Sequence, residues 1–330
     1  YYGGIKKYQW TTIPLALHGT ISKADGTTVD ICIGEDENDP VFYINDLLPH
    51  LAGDQMRKSL SEGISGEQLN LLSGSRTFGK DVSEGVKLNI LSILNEKYGI
   101  TEADFLSAEL CGVPAYKARD IGLDRSMIGS YGHDDRVCAY PSLTAVMAVK
   151  APKHTIMTIL ADKEEIGSEG NTGMQCAVYF DIIDDLAKTA GVSDAVVRRN
   201  SMCLSADVNA AFDPNFPEVC EKRNACFLNH GVALTKFTGA RGKSGSNDAS
   251  AEYVGYVRNL FDANGVIWQT AELGKVDGGG GGTVAKFIAQ HNVDTVDIGV
   301  PVISMHAPYE VVAKTDVYMT HKAIEAFFAD

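Results

Sequence analysis

Beyond Asp120 the chain alternates apolar, β-branched runs with stretches of helical periodicity, a pattern that restricts it to a sheet flanked by helices. The spacing predicts helices near residues 142–150, 174–191, 248–263, 283–291 and 316–328. Between them it predicts strands at 155–161, 202–206, 266–270 and 296–304. Residues 9–122 have a different texture. Strand-like runs at 13–21 and 29–33 are separated by the polar turn Ala24-Asp25-Gly26, which reads as a hairpin. Helical stretches at 86–97 and 101–105 follow a region of low hydrophobicity, 59–80, expected as a long loop. The fold class expected is α/β in two domains, which 330 residues with 45% hydrophobic content are long and apolar enough to support.

Bulk composition removes several classes of partner. A net charge of −14, with no basic stripe, argues against a nucleic-acid backbone. No apolar run approaches the roughly 18 residues of a membrane span, so no membrane partner is expected. Seven cysteines, odd in number and without a Cys-x-x-Cys, imply neither a disulfide framework nor a thiolate zinc site, and a cytoplasmic location is the simplest expectation. The chain opens on Tyr1-Tyr2-Gly3-Gly4 without an initiator Met, so residues upstream are expected.

The polar signals of the second half fall at the predicted element ends. Glu164 and Glu165 follow the run 155–161, where an open α/β sheet keeps its ligand crevice. Neighbouring side chains there project differently, so one carboxylate can bind a metal while the other handles the proton of a water. Asp134 and Asp135 precede a helix, Asp207 follows a strand, and His306 closes the run 300–305. Taken singly, each Asp is explained by turn or N-cap hydrogen bonding and His306 by a place in the core. Together they form a carboxylate and imidazole set suited to Zn²⁺, Mn²⁺ or Co²⁺.

Two glycine-rich stretches invite a nucleotide reading and fail it on spacing. Residues 239–244 lack the first glycine of a phosphate loop, because Phe237 stands there, and 277–283 lose the dinucleotide register at Thr283. The run 278–282 is instead expected to approach a ligand closely and to lead into a helix N-terminus, with backbone N–H groups near Gly281 and Thr283 facing a substrate carbonyl or carboxylate. Lys236, Arg241 and Lys243 make a local basic cluster suited to an acidic substrate group.

Five motifs in order carry a resemblance over essentially the whole chain: Gly132-His133-Asp134-Asp135-Arg136, Asp162-Lys163-Glu164-Glu165-Ile166-Gly167-Ser168, Ser205-Ala206-Asp207-Val208, Gly242-Lys243-Ser244-Gly245-Ser246-Asn247-Asp248-Ala249 and Ser304-Met305-His306-Ala307-Pro308. They resemble the zinc metallopeptidase family that contains aspartyl aminopeptidase and aminopeptidase I. The resemblance implies a zinc-exopeptidase-type catalytic domain with a mixed sheet flanked by helices, an inserted β-rich dimerisation domain, and two zinc ions per subunit, with Co²⁺ or Mn²⁺ as possible substitutes. On this frame residues 1–8 end an N-terminal catalytic segment, 9–122 form the dimerisation domain and 123–330 the catalytic domain. Asp134 resembles the carboxylate that bridges the metals, Glu165 and His306 resemble ligands of one ion, and Asp207 resembles a ligand of the other. Glu164 matches the general base. Lys236 resembles a lysine that meets an acidic substrate side chain, and His50 a histidine that reaches a neighbouring subunit's active site. Peptide substrates and a homo-oligomer of dimers, assembling into a tetrahedral dodecamer, follow from the same likeness. The family's His-x-Asp motif, whose histidine completes the second ion's ligands, has no counterpart in this sequence. An amide hydrolase such as a deacylase, or a non-catalytic assembly or cargo protein of the same fold, are the alternative readings.

Overall fold

The computed structural model describes residues 4–241 and 243–330, so Tyr1–Gly3 of the expected segment 1–8, and Gly242 of the fourth motif, lie outside the described residues. The chain divides into two compact units, one of Ile5–Lys117 with Ala307–Tyr309 and one of Ala118–His306 with Glu310–Asp330 and Gly4.

In the first unit, β1 (Leu15–Ser22) and β2 (Thr28–Ile33) form the expected hairpin. Helix α1 (Gly85–Tyr98) follows, and β3 (Ala108–Pro114) adds to the other side of β1, giving the antiparallel order β2-β1-β3. One face of this sheet supplies Ile21, Ile31 and Ile33 to a core that Leu94, Tyr98 and Ile100 close. Period-2 alternation puts these side chains on one face, and their removal from water stabilises the small sheet. β1 can lie this close to β3 because Gly19 has φ +146, and a Cβ there would sit 1.8 Å from the Glu109 carbonyl oxygen.

The second unit contains β4 (Arg119–Ile121), β5 (Met127–Ser130), α2 (His133–Ala148), α3 (Val178–Thr189), α4 (Asp194–Arg199), β6 (Met202–Ala206), β7 (Asn209–Ala210), β8 (Val232–Thr235), β9 (Phe237–Ala240), β10 (Ser244–Asp248), α5 (Ala251–Ala263), β11 (Trp268–Thr270), α6 (Ala285–Ala289), β12 (Asp294–Gly299), β13 (Pro301–Ile303), β14 (Glu310–Ala313) and α7 (Lys314–Ala329). Strand orders are β11-β8-β12-β6 and β4-β5-β14-β13-β7, with β9 and β10 as a separate hairpin. The two larger sheets run into one another. Asp207, Asn209 and Ala211 donate backbone N–H bonds to Ile298, Val300 and Val302, so 202–211 and 294–303 form one long parallel pair.

Helices cover both faces. Leu204 and Ala206 of β6 pack with Val296 and Ile298 into a core formed with α2, α5 and α7, through Ala145, Val257, Phe261, Ala323 and Ile324. Cys203, pointing the other way, joins Tyr179, Phe180 and Ile288 of α3 and α6. This is the helix-flanked mixed sheet expected of the α/β class. All seven cysteines are free thiols, and no helix among the described residues is long and apolar enough to cross a membrane.

The run 155–161 departs from the strand expected there. It forms no strand: the residues are irregular and mostly exposed, with Met157, Ile159 and Leu160 open to solvent. Apolar and β-branched composition reports suitability for a pleated, half-buried surface, but a strand also needs a neighbour to complete its hydrogen bonds. Glu164 and Glu165 therefore sit on a single 3₁₀ turn, Glu164–Ile166, and not at a strand end.

Candidate metal centre

Four backbone departures from regular geometry bring five carboxylates and one histidine together in the second unit. Helix α2 breaks at Asp134, whose φ −79 and ψ 110 turn its side chain out of the helical path, and the Asp134-Asp135 peptide is cis. The turn holding Glu164 and Glu165 is bounded by Lys163 at φ 62 and Gly167 at φ 96. Asp207 lies in the two-residue gap between β6 and β7, where its own Oδ1 accepts the Val208 N–H at 2.7 Å. His306 has φ 63 in the turn between β13 and β14.

His306 Nε2 is 3.2 Å from Asp134 Oδ2 and 3.6 Å from Glu165 Oε1. Its Nδ1 is 3.1 Å from the Gly4 carbonyl oxygen, so donation there leaves Nε2 facing the carboxylates. Asp134, Glu165 and His306 form one group whose ligand atoms lie within 4.8 Å of one another; Asp134, Asp135 and Asp207 form a second, and Asp135, Glu164 and Glu165 a third.

Crowding and burial act on the charges in one direction. Burial first, then a hydrogen bond with Asp134 and the neighbouring Asp207, Asp134 and Glu164, pushes Asp135 up to about 10. Burial with Asp134 and Glu164 raises Asp207 well above the carboxylate range. Burial, then Glu165 and Asp134, raises Glu164 to about 7, against the pull of His306 and Lys286. The hydrogen bond from His306 to Asp134 raises the imidazole to about 9. Gathering so many carboxylates costs free energy unless positive charge compensates them. Asp135 Oδ1 is buried with no hydrogen-bond partner among the described residues. An orphaned acceptor inside a carboxylate and imidazole cluster fits a hard or borderline divalent cation.

The five sequence-predicted residues Asp134, Glu164, Glu165, Asp207 and His306 are thus brought together. Lys236 is ion-paired with Asp248 instead of with a cluster carboxylate. His50 lies on an exposed turn of the first unit. The glycine run packs backbone against backbone: a Cβ on Gly279 would meet Leu273 O at 2.4 Å, and one on Gly280 would meet Gly239 O at 2.4 Å. Its N–H groups at 278, 279 and 280 already donate to Lys275, Lys275 and Leu273, and the Gly281 carbonyl accepts from Gly239 N. Thr283 Oγ1 donates to Asp297 at 2.6 Å. Helix α6, which follows, is short.

Sequence reasoning missed Asp297 and Glu310, both nearly inaccessible. Each is a lone acid in an apolar run, Val296-Asp297-Ile298 and Glu310-Val311-Val312, and such a residue must find donors inside the fold. Gly299 was missed too. A Cβ there would lie 1.6 Å from the Asp207 carbonyl oxygen, so Gly299→Ala should force the 202–211 and 294–303 pair apart. The expected loss is about 3 kcal/mol or more of unfolding free energy. An unchanged urea midpoint would show that no close approach exists there.

A helix-flanked mixed sheet carrying such a cluster defines a metal-dependent hydrolase. The sequence pattern of the family described as aminopeptidase I zinc metalloprotease (M18) matches residues 1–328, and the chain belongs to that family of metallo-aminopeptidases. A relative from Clostridium acetobutylicum, named a probable M18 family aminopeptidase 1, is 53% identical over 333 residues, covering 99% of this chain and 71% of the relative. The crystal structure of the M18 family aminopeptidase from Thermotoga maritima superposes with a TM-score of 0.95 at 47% identity, covering 99% of this chain and 73% of that one. At 21% identity the structure of the mApe1 dodecamer of S. cerevisiae shares the fold, with a TM-score of 0.73 over 99% of this chain and 71% of that one.

Proposed function

We propose that this chain is a binuclear zinc aminopeptidase in which Glu164 is the general base. The observation that carries the reading is that, among the described residues, Asp134 alone joins the group holding His306, with Glu165, to the group holding Asp207, with Asp135. A carboxylate common to two donor sets is what a paired-ion site requires. Glu165 and His306 would hold one ion and Asp207 the other, with Asp134 the carboxylate common to both groups. When bound, zinc supplies a Lewis acid for the peptide carbonyl and lowers the pKa of water.

The chain's own residues do the rest. Glu164 takes a proton from the attacking water and delivers it to the departing amine. Glu165, next to it on the same turn, points to His306 and keeps that imidazole oriented. An acidic N-terminal residue would meet Lys236 beside Asp248, whose carboxylate already offsets that charge, so acidic preference is expected to be modest. Backbone N–H groups near Gly281 and Thr283 would face a substrate carbonyl or carboxylate, those of 278, 279 and 280 being already taken. We assign 9–122 to contacts between subunits of a homo-oligomer, with His50 reaching a neighbour's centre and the mApe1 dodecamer as an example of the fold in an oligomer.

Zinc content and substrate range test the assignment together. The expected result is about two zinc ions per chain, as a paired-ion site requires, with turnover of Asp-, Glu- and Leu-amide substrates and none of N-acyl amino acids. Cleavage of the N-acyl substrates alone would make the protein a deacylase. Zero or one zinc with no turnover would leave only an assembly role.

A further inference from the structure

We propose that Glu310 is the positioning residue of the metal centre, holding the backbones of Asp134 and His306 at a fixed separation through one buried carboxylate. The inference rests on the metal-centre reading above. Glu310 is 1% exposed. Its Oε2 accepts the Asp134 N–H at 3.1 Å, and its Oε1 accepts the His306 N–H at 2.7 Å. Asp134 is 176 residues away in sequence and His306 four, so a single side chain joins two segments that the chain itself does not connect closely.

Those segments need such a tie. Asp134 interrupts α2 with non-helical angles, and His306 sits at φ 63 in a turn, so neither is held by regular helix or sheet geometry. Glu310 is. It opens β14 and pairs with Ser130 of β5, which roots the carboxylate in the sheet. The two oxygens of one carboxylate keep a constant spacing, and each bond to a charged acceptor is stronger than a neutral one. The distance between Asp134 Oδ2 and His306 Nε2, 3.2 Å, is therefore set from behind by Glu310 and not by the two ligand side chains alone. Groups that orient metal ligands in this way commonly change metal affinity by about 10–100-fold when altered.

A purely structural plug would predict something else, and the molecule supplies the control. Asp316 is fully buried and accepts the Asn229 and Gly231 N–H groups at 2.8 Å each, bridging a loop that carries no cluster residue. Glu310→Gln and Asp316→Asn each replace one acceptor oxygen by an NH₂ donor, so each leaves one backbone N–H facing a donor. Both should lower the denaturation midpoint. Only Glu310→Gln should weaken zinc binding, by about 10–100-fold, and alter the visible absorption spectrum of the Co²⁺-substituted protein. Glu310→Asp, which keeps both oxygens but withdraws them by one bond, is measured beside it and should act in the same direction. The proposal is overturned if whichever Glu310 variant folds has the zinc Kd and Co²⁺ spectrum of the unsubstituted protein while losing stability as Asp316→Asn does. An unsubstituted protein that takes up no zinc would instead overturn the metal-centre reading itself.

Discussion

Glu164→Gln should retain fold and zinc while losing peptide turnover by about 10²–10⁴-fold, the usual contribution of a positioned general base. Glutamine matches glutamate in size and keeps one acceptor oxygen, so the 3₁₀ turn Glu164–Ile166 has no steric reason to change. What disappears is the capacity to take a proton. Glu164 is placed for that task because Glu165, its neighbour, is the member of the pair that faces His306 and Asp134. Glu164 instead groups with Asp135 and Glu165 and has Lys286 as a nearby cation. The effect belongs in kcat, with KM for a Leu-amide substrate nearly unchanged, since the carboxylate acts on the reacting water and not on the substrate side chain. Turnover equal to that of the unsubstituted protein would end the base assignment. Zinc lost together with activity would make Glu164 a ligand.

How much of this was legible in the sequence depends on whether a signal was local. The run 296–304 is rich in β-branched and apolar residues and did form paired strands, β12 and β13, broken at Val300 where the ladder passes from one to the other. The five site residues were legible because several acids and a histidine recur together as one ligand set and fall in five ordered motifs, although Glu164 and Glu165 lie on a turn and not at the strand end expected. The run 155–161 was equally apolar and misled, because no sequence pattern states whether a strand has a partner. The glycine run was legible only in part, for a different reason: its N–H groups at 278, 279 and 280 go to Lys275 and Leu273, and the missing Cβ atoms serve close backbone packing. Glu310 and Gly299 were invisible for a third reason. Their work is done on Asp134, His306 and Asp207 through space, with partners that chain order does not reveal.

The metal dependence of a stability change offers a second large test of the cluster. Asp134→Asn should abolish most turnover and lower the zinc content, because Asp134 is the residue common to the His306 group and the Asp207 group, and a neutral amide is a poor bridge between cations. Its effect on folding should depend on the metal. After chelation, burial and crowding hold Asp135, Asp207 and Glu164 toward their neutral forms, so the charge on Asp134 faces chiefly the His306 imidazole, 3.2 Å away and raised to about 9. An asparagine oxygen can still accept from His306 Nε2 but carries no charge, so chelated Asp134→Asn is expected to unfold at a modestly lower urea concentration than the chelated unsubstituted protein. With zinc present the gap should widen, since an ion that binds only the folded state stabilises it the more tightly it is held, and the variant has lost that affinity. A cluster built merely as a hydrogen-bonded structural network would show the same gap with and without chelator.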